Sequence, residues 1–238
     1  MVRPAIVSEL LGHQGQAAGD TCRETCKLAD APSVTTVVVG DRLPWPEDPS
    51  AAAADGPFDA AAIYQSGTRQ DCVIRKISAL GVTIGSDLLP ALGERISIEL
   101  ATGQRPAGKV AWTGRNELGI RFDDCIDIIA LLNRKLVSQT PERRTMPRLE
   151  VRCLSHIKCG EHFSPAVLRN ISAKGLQLEG DHLPSIGTYA AVFLEGINIP
   201  AGEVVWKRGN LAGIELFEEL SWTSIIAWVR DLVRKKGN

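Results

Sequence analysis

The chain has 238 residues, 44% hydrophobic and 23% charged, with a formal net charge of -1. This balance suits a globular protein of one large domain or two of about 100 residues each. It excludes a global field drawing the chain onto nucleic acid or anionic membrane, so any anion site must be a local cluster. No apolar run approaches the ~18 residues of a membrane-spanning helix. The opening MVRPAIVSELLGHQGQ carries acid and amide side chains where a secretion signal needs an unbroken apolar stretch. A cytoplasmic protein is expected.

Residues 1–56 include AAGD and PEDPSAAAADGP and read as a poorly ordered or linker-like segment, with one strand-like run at Val34 to Val39. Cys22 and Cys26 are spaced C-x3-C, but no second pair with ligand spacing follows and nothing fixes His13 beside them. Cys72, Cys125, Cys153 and Cys159 are scattered among apolar residues, so reduced thiols, with neither metal nor disulfide, are the expectation.

From Val73 to Ile120 the chain overlays itself at an offset of 94 residues without a gap. Ile77-Ser78-Ala79 meets Ile171-Ser172-Ala173, Gly81 meets Gly175, Trp112 meets Trp206, and Gly119-Ile120 meets Gly213-Ile214. So regular a match is a duplication, and two copies each large enough for a core make a tandem of domains rather than a solenoid. In the first copy GVTIGS, RISIEL, GKVAW and LGIRF are short apolar-rich runs punctuated by Gly, Pro and Asn, the pattern of antiparallel strands and turns. CIDIIALLNRKLV then changes to helical period. After the linker SQTPERRTMPRLEV, whose prolines stop that helix, GLQLEG, YAAVFLEG, GEVVWK and AGIELF repeat the strands and SWTSIIAWVRDLVRKK repeats the helix. Each unit reads as a small β-barrel followed by a C-terminal helix.

The linker carries the one dense cationic cluster outside a helix tail: Arg143, Arg144 and Arg148, on a segment that Pro147 keeps from being helical. Guanidinium groups grip phosphate or the O6/N7 edge of guanine bidentately and stack on purines; the plainer reading is a solvated basic linker. In Asn170-Ile171-Ser172-Ala173-Lys174-Gly175, strand alternation turns Asn170 and Ser172 outward and Ile171 into the core. Gly175 leaves room for an unusual backbone angle or a close ligand. Here the plainer reading is a polar strand end and a turn glycine.

Together and in this order, Arg144-Thr-Met-Pro-Arg148 and Asn170-Ile-Ser172-Ala-Lys-Gly175 resemble the PilZ domain family of bacterial cyclic di-GMP receptors, whose pattern is RxxxR followed by [D/N]xSxxG. GEVVWKRGNLAGIELF is similar to that family's strand pair with its Trp and Gly-Ile. The likeness covers about residues 141–235 and, more loosely, 57–137. It implies a mainly β chain of two tandem six-stranded antiparallel barrels, each with a C-terminal α-helix: a degenerate unit at 57–137, a hinge with the arginines at 138–148 and a ligand-binding unit at 149–238. It further implies cyclic di-GMP bound by Arg143, Arg144, Arg148, Asn170, Ser172 and Gly175. Arg143, just before RxxxR, favours a stacked pair of ligand molecules. The first copy keeps Ser78 and Gly81, but the offset puts Pro49, Ser50 and Ala54 where the arginines should be and Lys76 where Asn170 should be. Arg69 and Arg75 lie near, with no strand pattern suggesting that they substitute.

The expectation is a non-enzymatic second-messenger receptor acting on a downstream protein, without cofactor or metal. The alternative is a ligand-independent PilZ-like interaction adaptor. Five Trp, two Tyr and five Phe with a net charge of -1 argue against a single-strand RNA binder. His13, His156, His162 and His182 have no spacing to a nucleophile or paired carboxylates that would make an enzyme site.

Overall fold

The computed structural model describes residues 35–47, 58–88, 90–138 and 147–236. Arg143, Arg144, Pro49, Ser50, Ala54, His13, Cys22 and Cys26 lie outside the described residues.

The period-2 alternation of short apolar runs produces a mainly β chain. Along β8 (Arg148–Cys159) the buried Leu149, Val151, Ser155 and Ile157 face inward, while Arg152, Leu154 and His156 are exposed. With β9 (His162–Ile171), β10 (Gly175–Glu179), β11 (Tyr189–Phe193), β12 (Gly202–Arg208) and β13 (Leu211–Leu216), β8 closes an antiparallel six-stranded barrel in the order β8-β9-β10-β13-β12-β11 and back to β8. Closure removes the free sheet edges that would otherwise invite pairing with another chain. Helix α2 (Trp222–Lys236) follows, burying Trp222, Ile225, Ile226, Trp228 and Val229. Each large apolar side chain buried in this way contributes roughly 1.5–3 kcal/mol. The polar edge of the Trp228 ring is satisfied, since Nε1 donates to the Glu195 carbonyl at 2.9 Å.

The earlier strands are β2 (Asp59–Gln65), β3 (Thr68–Ser78), β4 (Gly81–Gly85), β5 (Arg95–Glu99), β6 (Ala107–Thr113) and β7 (Glu117–Phe122). They pair in the matching cyclic order β3-β2-β5-β6-β7-β4, and β4 returns to β3. The register carries the 94-residue offset: Ala62 faces Glu99 as His156 faces Phe193, and Val82 faces Ile120 as Leu176 faces Ile214. Helix α1 (Ile128–Ser138) starts where Asp127 Oδ1 accepts from Ala130 N at 3.0 Å, an N-cap.

The repeated Trp and Gly-Ile have a packing cause. Trp206 stands opposite Gly213 beside a bulge between Val204 and Trp206, and a Cβ built at Gly213 would fall on the indole Nε1. Trp112 covers Gly119 in the same way.

Strand β1 (Thr36–Val38) departs from the antiparallel expectation. It runs parallel to both β3 and β8, so it joins the β2–β7 ring to the C-terminal barrel in one sheet. Thr35 anchors its start: Oγ1 donates to Ile74 O at 2.8 Å and accepts from Asp59 N at 2.9 Å. Beyond β1, Thr83 Oγ1 donates to the Pro44 carbonyl at 2.6 Å, and Trp45 meets Trp112 edge-on with centroids 6.2 Å apart. Among the described residues no helix is long and apolar enough to cross a membrane.

Candidate functional site

The alternation that buries Leu149 and Ile171 turns Arg148, Glu150 and Asn170 to the opposite face. Register aligns them: Glu150 faces Asn170 across β8 and β9, and Asn170 faces Gln177 across β9 and β10. On the other side of β8, Thr36 of β1 stands opposite both Arg148 and Lys76. These residues line a cavity of about 390 Å³ with Glu47, Arg169 and others. Arg148, assigned from sequence to the end of the hinge, is here the first residue of β8. Thr36 supplies the ladder partner that no local pattern revealed.

The cavity is polar and strongly charged. Arg169 Nη1 is 2.6 Å from Glu179 and its Nη2 is 2.8 Å from Glu47. The hydrogen bond from Arg169, followed by its charge, holds the Glu179 carboxyl below the usual carboxylate range. Lys76 Nζ is 3.0 Å from Glu150 Oε2, and Arg42 Nη1 is 3.1 Å from Glu150 Oε1. Arg148 is exposed, and no carboxylate of the described residues pairs with it. Asn170 Nδ2 donates to Gln177 Oε1, which fixes the amide pointing along the sheet surface.

Of the six residues singled out from sequence, Arg148 and Asn170 thus come together in one cavity, and Arg143 and Arg144 lie outside the described residues. Ser172 and Gly175 are joined to each other in the β9–β10 turn: Ser172 Oγ donates to Gly175 O at 3.2 Å and Ser172 N donates to it at 2.9 Å. The glycine at 175 has no left-handed backbone; its cause is a close approach, since a Cβ there would lie 2.7 Å from Ile214 O. Gly81 is crowded in the same way by Ile120 O, at 2.5 Å. This explains why the first copy keeps the glycine without the arginines.

Sequence reasoning missed Glu150, Arg169, Gln177 and the part played by Lys76. Arg169 and Gln177 could have been found, since both sit at outward positions beside the quoted motif. Lys76 drew notice only as a departure from Asn170.

A larger cleft, about 770 Å³, lies over β2, β3 and β4 and includes Arg69 and Arg75. Its cations are engaged locally: Arg69 pairs with Asp71 at 2.6 Å, and Arg75 pairs with Glu117 at 3.4 Å while lying 4.0 Å over the Phe58 ring. Asp71, Asp87 and Glu99 also line it, which disfavours an anionic ligand. Cys72, which also lines it, is buried, and burial pushes its thiol up to about 12, which disfavours the reactive thiolate at neutral pH.

No protein-family model matches the chain, and a search of curated proteins finds no significant match. Among solved structures, the chain is similar to Borreliella burgdorferi PlzA in complex with c-di-GMP, at 14% identity and a TM-score of 0.30, over 72% of this chain and 86% of that one. The Bacillus subtilis inhibitor of motility MotI is 12% identical with a TM-score of 0.27, over 75% of this chain and 96% of that one. MrkH of K. pneumonia in its c-di-GMP complex is 12% identical with a TM-score of 0.28, over 76% of this chain and 89% of that one.

Proposed function

We propose that the chain is a non-enzymatic receptor for cyclic di-GMP, built as two tandem PilZ-like barrels of which the second binds the ligand and the first is degenerate. The observation that carries this reading is that Arg148 and Asn170, one from each half of the two-part motif, line the same polar cavity. A ligand with two phosphates and two guanines suits that chemistry. Arg148 offers a planar fork to phosphate or guanine, and the Asn170 amide can both donate and accept on a base edge. Arg143 and Arg144 complete the clamp on the sequence motif. A ligand gripping them together with Asn170 would tie residues 138–148 to the C-terminal barrel. Ligand binding and engagement of this segment would then be one coupled event. The N-terminal ring would then be reoriented toward a downstream protein, a movement that has to shear the β1 ladders to β3 and β8.

Calorimetric titration with cyclic di-GMP, with GTP as control, tests the reading. Saturable heat with the cyclic dinucleotide alone supports it; no heat with either, at concentrations up to millimolar, overturns it. Hydrogen exchange and small-angle scattering test the movement, which requires protection at 141–148 and a changed scattering curve.

The adaptor reading has one observation in its favour. Leu154, Phe163 and Phe193 are 80%, 58% and 50% exposed, and Phe163 stacks on His156 with centroids 4.9 Å apart, so the outer face of β9, β8 and β11 carries apolar surface. Such a face suits protein contact with or without a ligand.

A further inference from the structure

We propose that Lys76, from the N-terminal ring, is a ligand-contacting residue of the cavity, and that Glu150 is a built-in anionic competitor holding Lys76 until a phosphate-bearing ligand takes it over. This rests on the receptor reading and adds to it a residue that the two-part motif does not contain.

Lys76 lies on β3, yet it reaches a cavity built mainly on β8, β9 and β10 because β1 inserts between β3 and β8 with Thr36 opposite both Lys76 and Arg148. Its ammonium is on Glu150 Oε2 at 3.0 Å, with side-chain exposures of 27% for Lys76 and 23% for Glu150. Partly sheltered charges are screened less than surface ones, so the pair matters to whatever enters. The other oxygen of Glu150 accepts from Arg42 Nη1 at 3.1 Å. That second partner makes an exchange feasible. If Lys76 turns to a phosphate, Glu150 keeps Arg42 and is not left as a lone buried charge, the costly outcome. A lysine suits the swing, having three donors around a compact charge on a flexible stem.

Of the cations lining the cavity, Lys76 and Arg169 are already answered by carboxylates of the described residues and Arg148 is not. Glu47 covers Arg169 at 2.8 Å, Glu150 covers Lys76, and an incoming dianion meets two carboxylates. Removing the negative charge at position 150 should raise anion affinity, and removing Lys76 should lower it. Lys76–Glu150 also joins β3 to β8 directly, so the exchange releases a side-chain link between the N-terminal ring and the C-terminal barrel.

The experiment compares wild type, Glu150→Gln, Lys76→Ala and the double variant, with Lys76→Met keeping the apolar stem should Lys76→Ala fail to fold. Two probes are used: cyclic di-GMP by calorimetry and pyrophosphate by phosphorus NMR. Glu150→Gln is expected to bind both about three- to tenfold tighter and the Lys76 variants weaker by a similar factor, the size of one partly sheltered charge pair. The gain from Glu150→Gln should shrink when Lys76 is absent. Cyclic di-GMP binding that is unchanged in both single variants overturns the inference and leaves the receptor reading standing. Tighter pyrophosphate binding by Glu150→Gln, with cyclic di-GMP ignored by every variant, overturns the receptor reading and leaves the inference. No binding of either probe by any variant overturns both.

Discussion

Lys76 Nζ lies 3.0 Å from Glu150 Oε2, although 74 positions of chain separate the two residues. Adjacent strands lie about 4.8 Å apart, so β3 and β8, with β1 between them, stand roughly 10 Å apart. Only a long side chain closes that gap, and Lys76 is the outward residue of β3 opposite Thr36. Both residues line the candidate site.

Removing the guanidinium of Arg148 or of Arg144 should each weaken cyclic di-GMP binding by about 2–3 kcal/mol, the size of a charge-assisted hydrogen bond lost from a desolvated anion. Ser172→Ala should weaken it by only about 1 kcal/mol, one neutral hydrogen bond. Part of that loss should reappear as a lower urea midpoint, because the hydroxyl holds the turn through Gly175 O. Calorimetry and urea titration on the same preparations separate the two effects. Arg144 and Arg148 variants that bind like wild type would sink the site assignment.

Stoichiometry tests the role of Arg143. Its charge and flat stacking surface suit a second guanine and offset the repulsion among four phosphates, so saturation is expected at two ligands per chain. Arg143→Leu should reduce this to one. Saturation of the wild type at one ligand, unaltered in Arg143→Leu, removes the role.

Gly175→Ala and Gly81→Ala should destabilise the protein to a similar degree, about 1–3 kcal/mol each, the usual cost of forcing a methyl into packed structure. The clashes are equivalent, with Ile214 O at 2.7 Å and Ile120 O at 2.5 Å. Urea midpoints measure this. If Gly175→Ala leaves stability intact and abolishes binding alone, the glycine serves the ligand and not the sheet.

Acid should weaken the C-terminal barrel through Glu179. Its carboxyl is held below the ordinary value of 4.5, first by the hydrogen bond from Arg169. A carboxylate depressed in the folded state contributes stability that is fully present above its unfolded value and is lost as pH falls through the folded one. The loss should therefore begin near pH 4.5 and continue below it. Glu179→Gln should show a lower urea midpoint at pH 7 and a flatter decline in acid than wild type. Parallel declines in the two proteins would assign the acid sensitivity elsewhere.

What the sequence determined by itself was local in its physics. Period-2 alternation decides which side of a strand a residue takes, so Ile171 inside and Asn170 outside were legible, as were the strand runs from Gly81 to Phe122 and from Gly175 to Leu216. The 94-residue offset anticipated matching registers in the two copies because identical alternation favours identical pairing. Tertiary structure decided what alternation does not encode: which strands become neighbours. The three residues of β1 carry too little pattern to specify two parallel partners, and parallel pairing needs no sequence-adjacent turn to announce it. That one strand turned Arg148 from hinge to sheet and brought Lys76 into the cavity with Glu150. It was also tertiary packing, the carbonyl of Ile214 against β10, that gave Gly175 its reason, since a steric demand made by a distant strand leaves no mark in the residues beside the glycine.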